Sequence, residues 1–154
     1  MGFPSAYDPF DPRIKINVMT VDQEVFESTA FVDMTELVIP VKAETMYLFK
    51  IRGINDVSAG TGADIKYSIS VPTNAIARVS VTGTCSFIML AESTSTGQIN
   101  ATAADETTYL WGIIITGDTA GNFAPQFSQF AVIAGVSTFM KKGSMAQLIE
   151  LGPA

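Results

Sequence analysis

The chain contains no histidine and a single cysteine, Cys85. Without histidine it lacks the commonest general base and the commonest metal ligand. A Ser-His-Asp or Cys-His arrangement cannot be built within it, nor can a zinc site of cysteine and histidine. One cysteine closes no internal disulfide. Set in Thr84-Cys85-Ser86-Phe87, at the entry to an apolar stretch, it reads as a small core residue. Charge is also scarce: 16% of the 154 residues are charged, 47% are hydrophobic, and the formal net charge is −6. The only adjacent basic pair is Lys141-Lys142, and no positive stripe exists to follow a phosphate backbone, which argues against nucleic acid. No apolar run approaches the ~18 residues of a membrane span. Met1 to Phe10 has neither the basic nor the apolar region of a signal peptide. Gly2 does not make a myristoylation signal, because position 6 is Ala6. Asn100-Ala101-Thr102 matches a glycosylation triplet that is common by chance.

What the chain does have is alternation. From Asp64 to Val71, Ile65, Tyr67, Ile69 and Val71 interleave with Asp64, Lys66, Ser68 and Ser70. Side chains of a strand alternate between faces, so this pattern makes one dry face and one wet one, which a helix could not do. The same grammar predicts strands at 18–26, 31–33, 37–41, 46–54, 65–71 and 77–81. Others follow at 86–91, 108–116, 127–133, 138–141 and 145–151. Turn-rich stretches separate them, among them Gly117 to Asn122 and Lys142-Gly143-Ser144. Many short strands at regular spacing predict an all-β protein: a single antiparallel β-sandwich, jelly-roll-like, over residues 18–154. A chain of this size buries roughly 70% of its unfolded surface, enough for a core without metals or disulfides. Tyr47, Phe49 and Ile51 share one parity and should line it.

Residues 1–17 read differently. Pro4, Pro9 and Pro12 alternate with Phe3, Tyr7 and Phe10. Proline removes a backbone donor and extends the preceding residue, so an extended arm is expected here. Its aromatics have a use only when docked, and Phe3, Tyr7, Phe10 and Arg13 are the candidate docking residues. Elsewhere, Tyr109 to Ile115 and Ser86 to Leu90 are apolar on both parities. A strand covered on both faces needs more than a two-layer fold supplies, which points to an oligomer. Trp111, Ile114, Ile88 and Leu90 are the candidate interface residues, with Trp111 read as core first and interface second.

Chemistry is hard to place. The carboxylate pairs are Asp8/Asp11, Asp22/Glu24 and Asp105/Glu106, and each reads as solvated charge rather than an acid–base pair. Asp118 with Asn122 could offer oxygen ligands to calcium, but no repeating ligand pattern supports it. No catalytic, cofactor-binding or metal-binding residue is assigned, and an enzyme is not expected. The Glu92–Thr107 stretch is long and polar, the profile of a solvent-facing loop.

The run from Phe31 to Lys50, with Asp33-Met34-Thr35-Glu36-Leu37-Val38-Ile39-Pro40-Val41-Lys42-Ala43 at its centre, resembles a segment of tailed-bacteriophage virion proteins. There a D-x-T-x-L-x-[FI]-P-V-x-A-x-x-x-Y-x-F run opens a trimeric β-sandwich. Lys142 to Leu151 is similar to that group's closing strand after a Gly-Ser turn. The resemblance covers roughly residues 18–151. Such domains occur in capsid decoration or cement proteins, head fibres and tail-fibre tips, and for a decoration protein the resemblance implies a homotrimer that binds the major capsid protein, made in the host cytoplasm and carried on the outer capsid surface. The absence of a stem before the sandwich favours this over the alternative, a receptor- or glycan-binding tip of a tail appendage.

Overall fold

The computed structural model describes residues 11–58, 65–82, 90–91, 98–99 and 106–154. Within them the chain is all-β. Its strands are β1 (Ile14–Val18), β2 (Gln23–Phe26), β3 (Val32–Asp33), β4 (Ile39–Val41), β5 (Thr45–Val57), β6 (Ile65–Ser70), β7 (Ile76–Thr82), β8 (Leu90–Ala91), β9 (Gln98–Ile99), β10 (Glu106–Ile115), β11 (Gly121–Gln129), β12 (Ser137–Met140) and β13 (Met145–Pro153). An eight-stranded sheet runs β1-β13-β5-β10-β7-β8, with β12 on β5 and β2 outside β12. A five-stranded sheet runs β3-β11-β6-β9, with β4 also on β11. Every pairing is antiparallel. The two sheets face each other as a β-sandwich.

The long strand β5 organises the larger sheet. Its odd-numbered residues face inward: Tyr47, Phe49 and Ile51 are 1%, 0% and 2% exposed. They meet Ile65, Tyr67 and Ile69 of β6 and Phe123 and Phe127 of β11, all part of one core. Phe49 and Phe123 pack across the two sheets with ring centroids 5.3 Å apart and planes tilted by 41°. Burying each such ring stabilises by about 1.5–3 kcal/mol, with somewhat more from the tilted ring pair. One polar group joins this interior: Tyr67 Oη donates to Asn55 Oδ1 at 2.9 Å, which also accepts from Thr108 Oγ1 at 3.2 Å.

The alternation of β6 holds on its dry side. Its wet side is partly covered, since Ser68 is only 7% exposed. Other boundaries move for identifiable reasons. Residues 14–17 are not part of an arm but form β1, which pairs Ile14 with Ile149 and Val18 with Met145 at the sheet's edge. Two inward-leaning polar side chains tie that edge to the opposite sheet: Lys15 Nζ donates to Pro40 O at 2.8 Å and Asn17 Nδ2 to Val38 O at 2.9 Å. The 18–26 strand is interrupted, because the chain turns between Val18 and Gln23. There Met19 is buried and exchanges backbone bonds with Gly143 and Ser144. Glu36 holds the turn by accepting from Thr20 N, Thr20 Oγ1 and Val21 N.

Thr35–Leu37 is a 3₁₀ turn, leaving only Ile39–Val41 as strand. The 127–133 strand lies upstream as β11, because Gly121 and Asn122 pair with Val41 and Pro40 instead of completing a turn. The 92–107 loop contains β9, which pairs with Ile65 and Lys66, and its last residues already belong to β10. Gly143 (φ +85°) makes the turn into β13, as its place between Lys142 and Ser144 predicts.

Candidate interaction surface

Residues paired across an antiparallel ladder point to the same side of the sheet. The registers of the larger sheet therefore define rows on its outer face. Val18, Met145, Arg52 and Tyr109 form the first. Ile16, Gln147, Lys50, Trp111 and Ser80 form the second, and Ile14, Ile149, Leu48, Ile113 and Arg78 the third. Met46, Ile115 and Ile76 close the set. Most of these positions are apolar. Trp111 is 44% exposed, Tyr109 50%, Ile113 40%, Ile16 41% and Val18 48%. A scattered surface Leu or Ile is ordinary, but a contiguous apolar sheet face marks an interaction site.

An open groove of about 240 Å³ lies on this face, lined by Lys50, Arg52, Tyr109, Trp111 and Met145 with Ile51 and Leu110 beneath. Inward of the exposed row, Gly112 pairs with Phe49 and leaves room for that ring, which keeps β10 close against β5. Arg52 Nη2 donates to Gly143 O at 2.9 Å, so the guanidinium is anchored across the end of β13. The Lys50 ammonium and the Arg78 guanidinium make no hydrogen bond or ion pair among the described residues. No carboxylate stands in any of the four rows.

The candidate interface residues separate. Trp111 is on the exposed face, not in the core where it was first expected. Ile114 is the reverse: it is 0% exposed, packed inward with Leu110, and is a core residue rather than an interface one. Strand parity requires this opposition, since 111 and 114 cannot share a face. Leu90 lies on β8 opposite Val79. Ile88 lies outside the described residues, as do Phe3, Tyr7, Phe10, Cys85, Asp8 and Asp105. Arg13 begins the described edge of the sheet. Its guanidinium pairs with Asp11 at 2.5 Å, and this bond is the main reason the Asp11 carboxyl is lowered to about 2.

The other carboxylates hold loops. Asp22 sits in the turn before β2, accepts from Lys142 N and pairs with Lys141 at 2.8 Å. Glu24 accepts from the Ser137 hydroxyl. Asp118 accepts from Thr119 Oγ1 at 3.2 Å. Among the described residues no group of three or more acids or thiols is placed to hold a metal ion.

The cations Lys50, Arg52 and Arg78 escaped the sequence reading. A signal was present: the even-numbered side of β5 reads Met46, Leu48, Lys50, Arg52, Ile54, too apolar for a solvated strand face. No helix of the described residues is long and apolar enough to cross a membrane. No family model, curated protein or solved structure matches this chain.

Proposed function

We propose that this chain is a structural virion protein: a homotrimeric β-sandwich that decorates a tailed-phage head, binding the major capsid protein and reinforcing the shell, with no catalytic task. The observation that carries the reading is the row Ile16-Gln147-Lys50-Trp111-Ser80 and its apolar neighbours, left open to water by the two-layer fold. Obligate interfaces are built of such surface, with an aromatic anchor near the centre. The resemblance of Phe31–Lys50 and Lys142–Leu151 to phage virion segments supplies the particle. In this reading residues 1–13 form the capsid-docking arm, and three arms on one trimer raise effective concentration without tight single contacts.

The test has two parts. Light scattering on the purified protein should give three times the chain mass. Electron microscopy of intact particles should find the protein on the outer head surface. A single-chain mass at micromolar concentration would sink the trimer, and density confined to the tail would move the protein elsewhere on the virion. Deleting residues 1–13 should leave a trimer that no longer binds heads.

A receptor- or glycan-binding tip is the second reading, because Tyr109 and Trp111 line an open groove and offer ring faces to a sugar. The groove lining lacks the carboxylates that would accept from sugar hydroxyls, so the first reading stands ahead of it. Specific, saturable binding on a glycan array, lost in Trp111→Ser, would reverse that order.

A further inference from the structure

The outer face of the larger sheet is zoned by charge along β5. From Met46 to Ile54 its outward rows carry Lys50, Arg52 and Arg78 and no carboxylate. Past Ile54 the neighbours of β5 change: β12 takes the place of β13, and β2 lies outside it. Asp56 pairs with Phe139, and Phe139 with Glu24. The opposite parity, Val57, Thr138 and Val25, is buried in the core layer, so Asp56, Phe139 and Glu24 continue the outer face. Phe26, 55% exposed, follows Glu24 on the same side, and Asp22 and Glu27 flank β2. Lys141 pairs with Asp22 and stands 4.0 Å from Asp56, Asp22 also accepts from the Lys142 amide, and Glu24 and Glu27 accept from the Ser137 hydroxyl and the Gly135 amide, so the four carboxylates outnumber the two lysines there. One continuous face thus has a cationic zone centred on Trp111 and an acidic zone around Phe26, each with exposed apolar surface.

Resting on the self-association proposed above, we infer that the acidic zone of one copy seats on the cationic zone of the next. The charge distribution leaves few alternatives. A chain of net charge −6 repels its own copies over most of its surface. The cationic zone is where a second copy is attracted, and the acidic zone on the same face is what it attracts. Superposing like zones would set Lys50, Arg52 and Arg78 against their own counterparts, the arrangement that suppresses wrong docking. Made in one direction only, so that each copy seats its acidic zone on the next, this contact is heterologous and closes into a ring such as a trimer; made reciprocally at a two-fold axis it would give a dimer. Size agrees as well. Five strands spaced ~4.8 Å apart and four rows spaced ~7 Å apart cover roughly 400–700 Å² for the cationic zone alone. One such zone on each partner buries on the order of 1,000 Å² in total, the lower bound of a specific interface.

The experiment uses the full chain in two forms. A photo-crosslinking phenylalanine analogue at position 111, with isotopically labelled and unlabelled copies mixed, reports which peptide of a neighbour lies over the groove. The expected crosslink joins 111 to a peptide from 22–27 or 137–142 of another copy. Separately, Lys50→Glu with Arg78→Glu should weaken association at least about tenfold, and adding Glu24→Lys with Asp56→Lys should restore it. Circular dichroism of each variant checks that the sandwich is intact. Crosslinks from 111 to 111, a foreign acidic protein as the only crosslinked partner, or an unchanged mass for the reversed variant would overturn the zone pairing alone. A single-chain mass for the unmodified protein would instead remove the self-association on which it rests.

Discussion

The ring of Phe49 lies against Gly112, its cross-strand partner: a Cβ at Gly112 would stand 2.9 Å from Phe49 Cζ and 1.8 Å from the Arg78 carbonyl oxygen. Neither neighbour can yield cheaply, because one is a core ring and the other is backbone. Gly112→Ala should therefore destabilise by about 1–3 kcal/mol, and Phe49→Ala by about 3–5 kcal/mol, measured by urea unfolding. A Gly112→Ala protein as stable as the wild type would mean that β10 does not approach β5 and β7 as described.

Trp111 and Ile114 should behave as opposites. Ile114→Ala empties part of a closed core and should cost about 2–5 kcal/mol. Trp111→Ser alters an exposed position and should leave the unfolding free energy of the separated chain within about 0.5 kcal/mol while lowering the mass in solution. If Trp111→Ser left the mass untouched at all concentrations, the outer face would have no role in assembly.

Tyr67 reaches between the sheets to the side chain of Asn55 on β5. Tyr67→Phe removes that donor while keeping the ring, and should cost about 1 kcal/mol. The check is denaturant unfolding with an unchanged m-value. A change in m-value would show that the ring had repacked.

Acid should loosen the edges first. The Glu36 carboxyl lies below its ordinary value because the Thr20 hydroxyl and the Thr20 and Val21 amides donate to it. Asp22 is lowered by Lys141 and by the Lys142 amide. A carboxyl depressed on folding contributes stability above its unfolded pKa, near 4.5 for Glu36 and 3.8 for Asp22, and loses it as pH falls through the folded value. Between pH 5 and pH 2 the midpoint should drop, with hydrogen-exchange protection falling at Thr20 and Val21 before the amides of β5. In Glu36→Gln that early loss of protection should already be present at pH 7. Protection factors at Thr20 and Val21 that do not change with pH would sink this account.

Much of the fold was legible because it is written in period two. β6 alternates polar with apolar, the inward side of β5 repeats Tyr47, Phe49 and Ile51, and alternation of this kind leaves little choice of element. The misplaced elements were those where local chemistry and pairing disagreed. Gly121 and Asn122 carry turn residues yet pair with β4, and Val18–Asp22 carries strand residues yet bends because Glu36 and Ser144 hold its backbone elsewhere. The surface was half legible: the apolar excess of Tyr109–Ile115 could be read from the chain, but the zoning of charge could not. Lys50 and Asp56 of β5, Arg78 of β7 and Glu24 of β2 come from three strands scattered through the sequence, and only their registers put them on one face.

By itself the amino-acid order determined an all-β chain with Tyr47, Phe49 and Ile51 turned the same way, because neighbouring side chains of an extended backbone must point apart. It also determined that Trp111 and Ile114 would part company. Which of the two met water was decided by the tertiary structure, when Gly112 left space for the Phe49 ring and thereby chose the inner side of β10. Parity is a property of the backbone; the choice of face is a property of what packs beneath it.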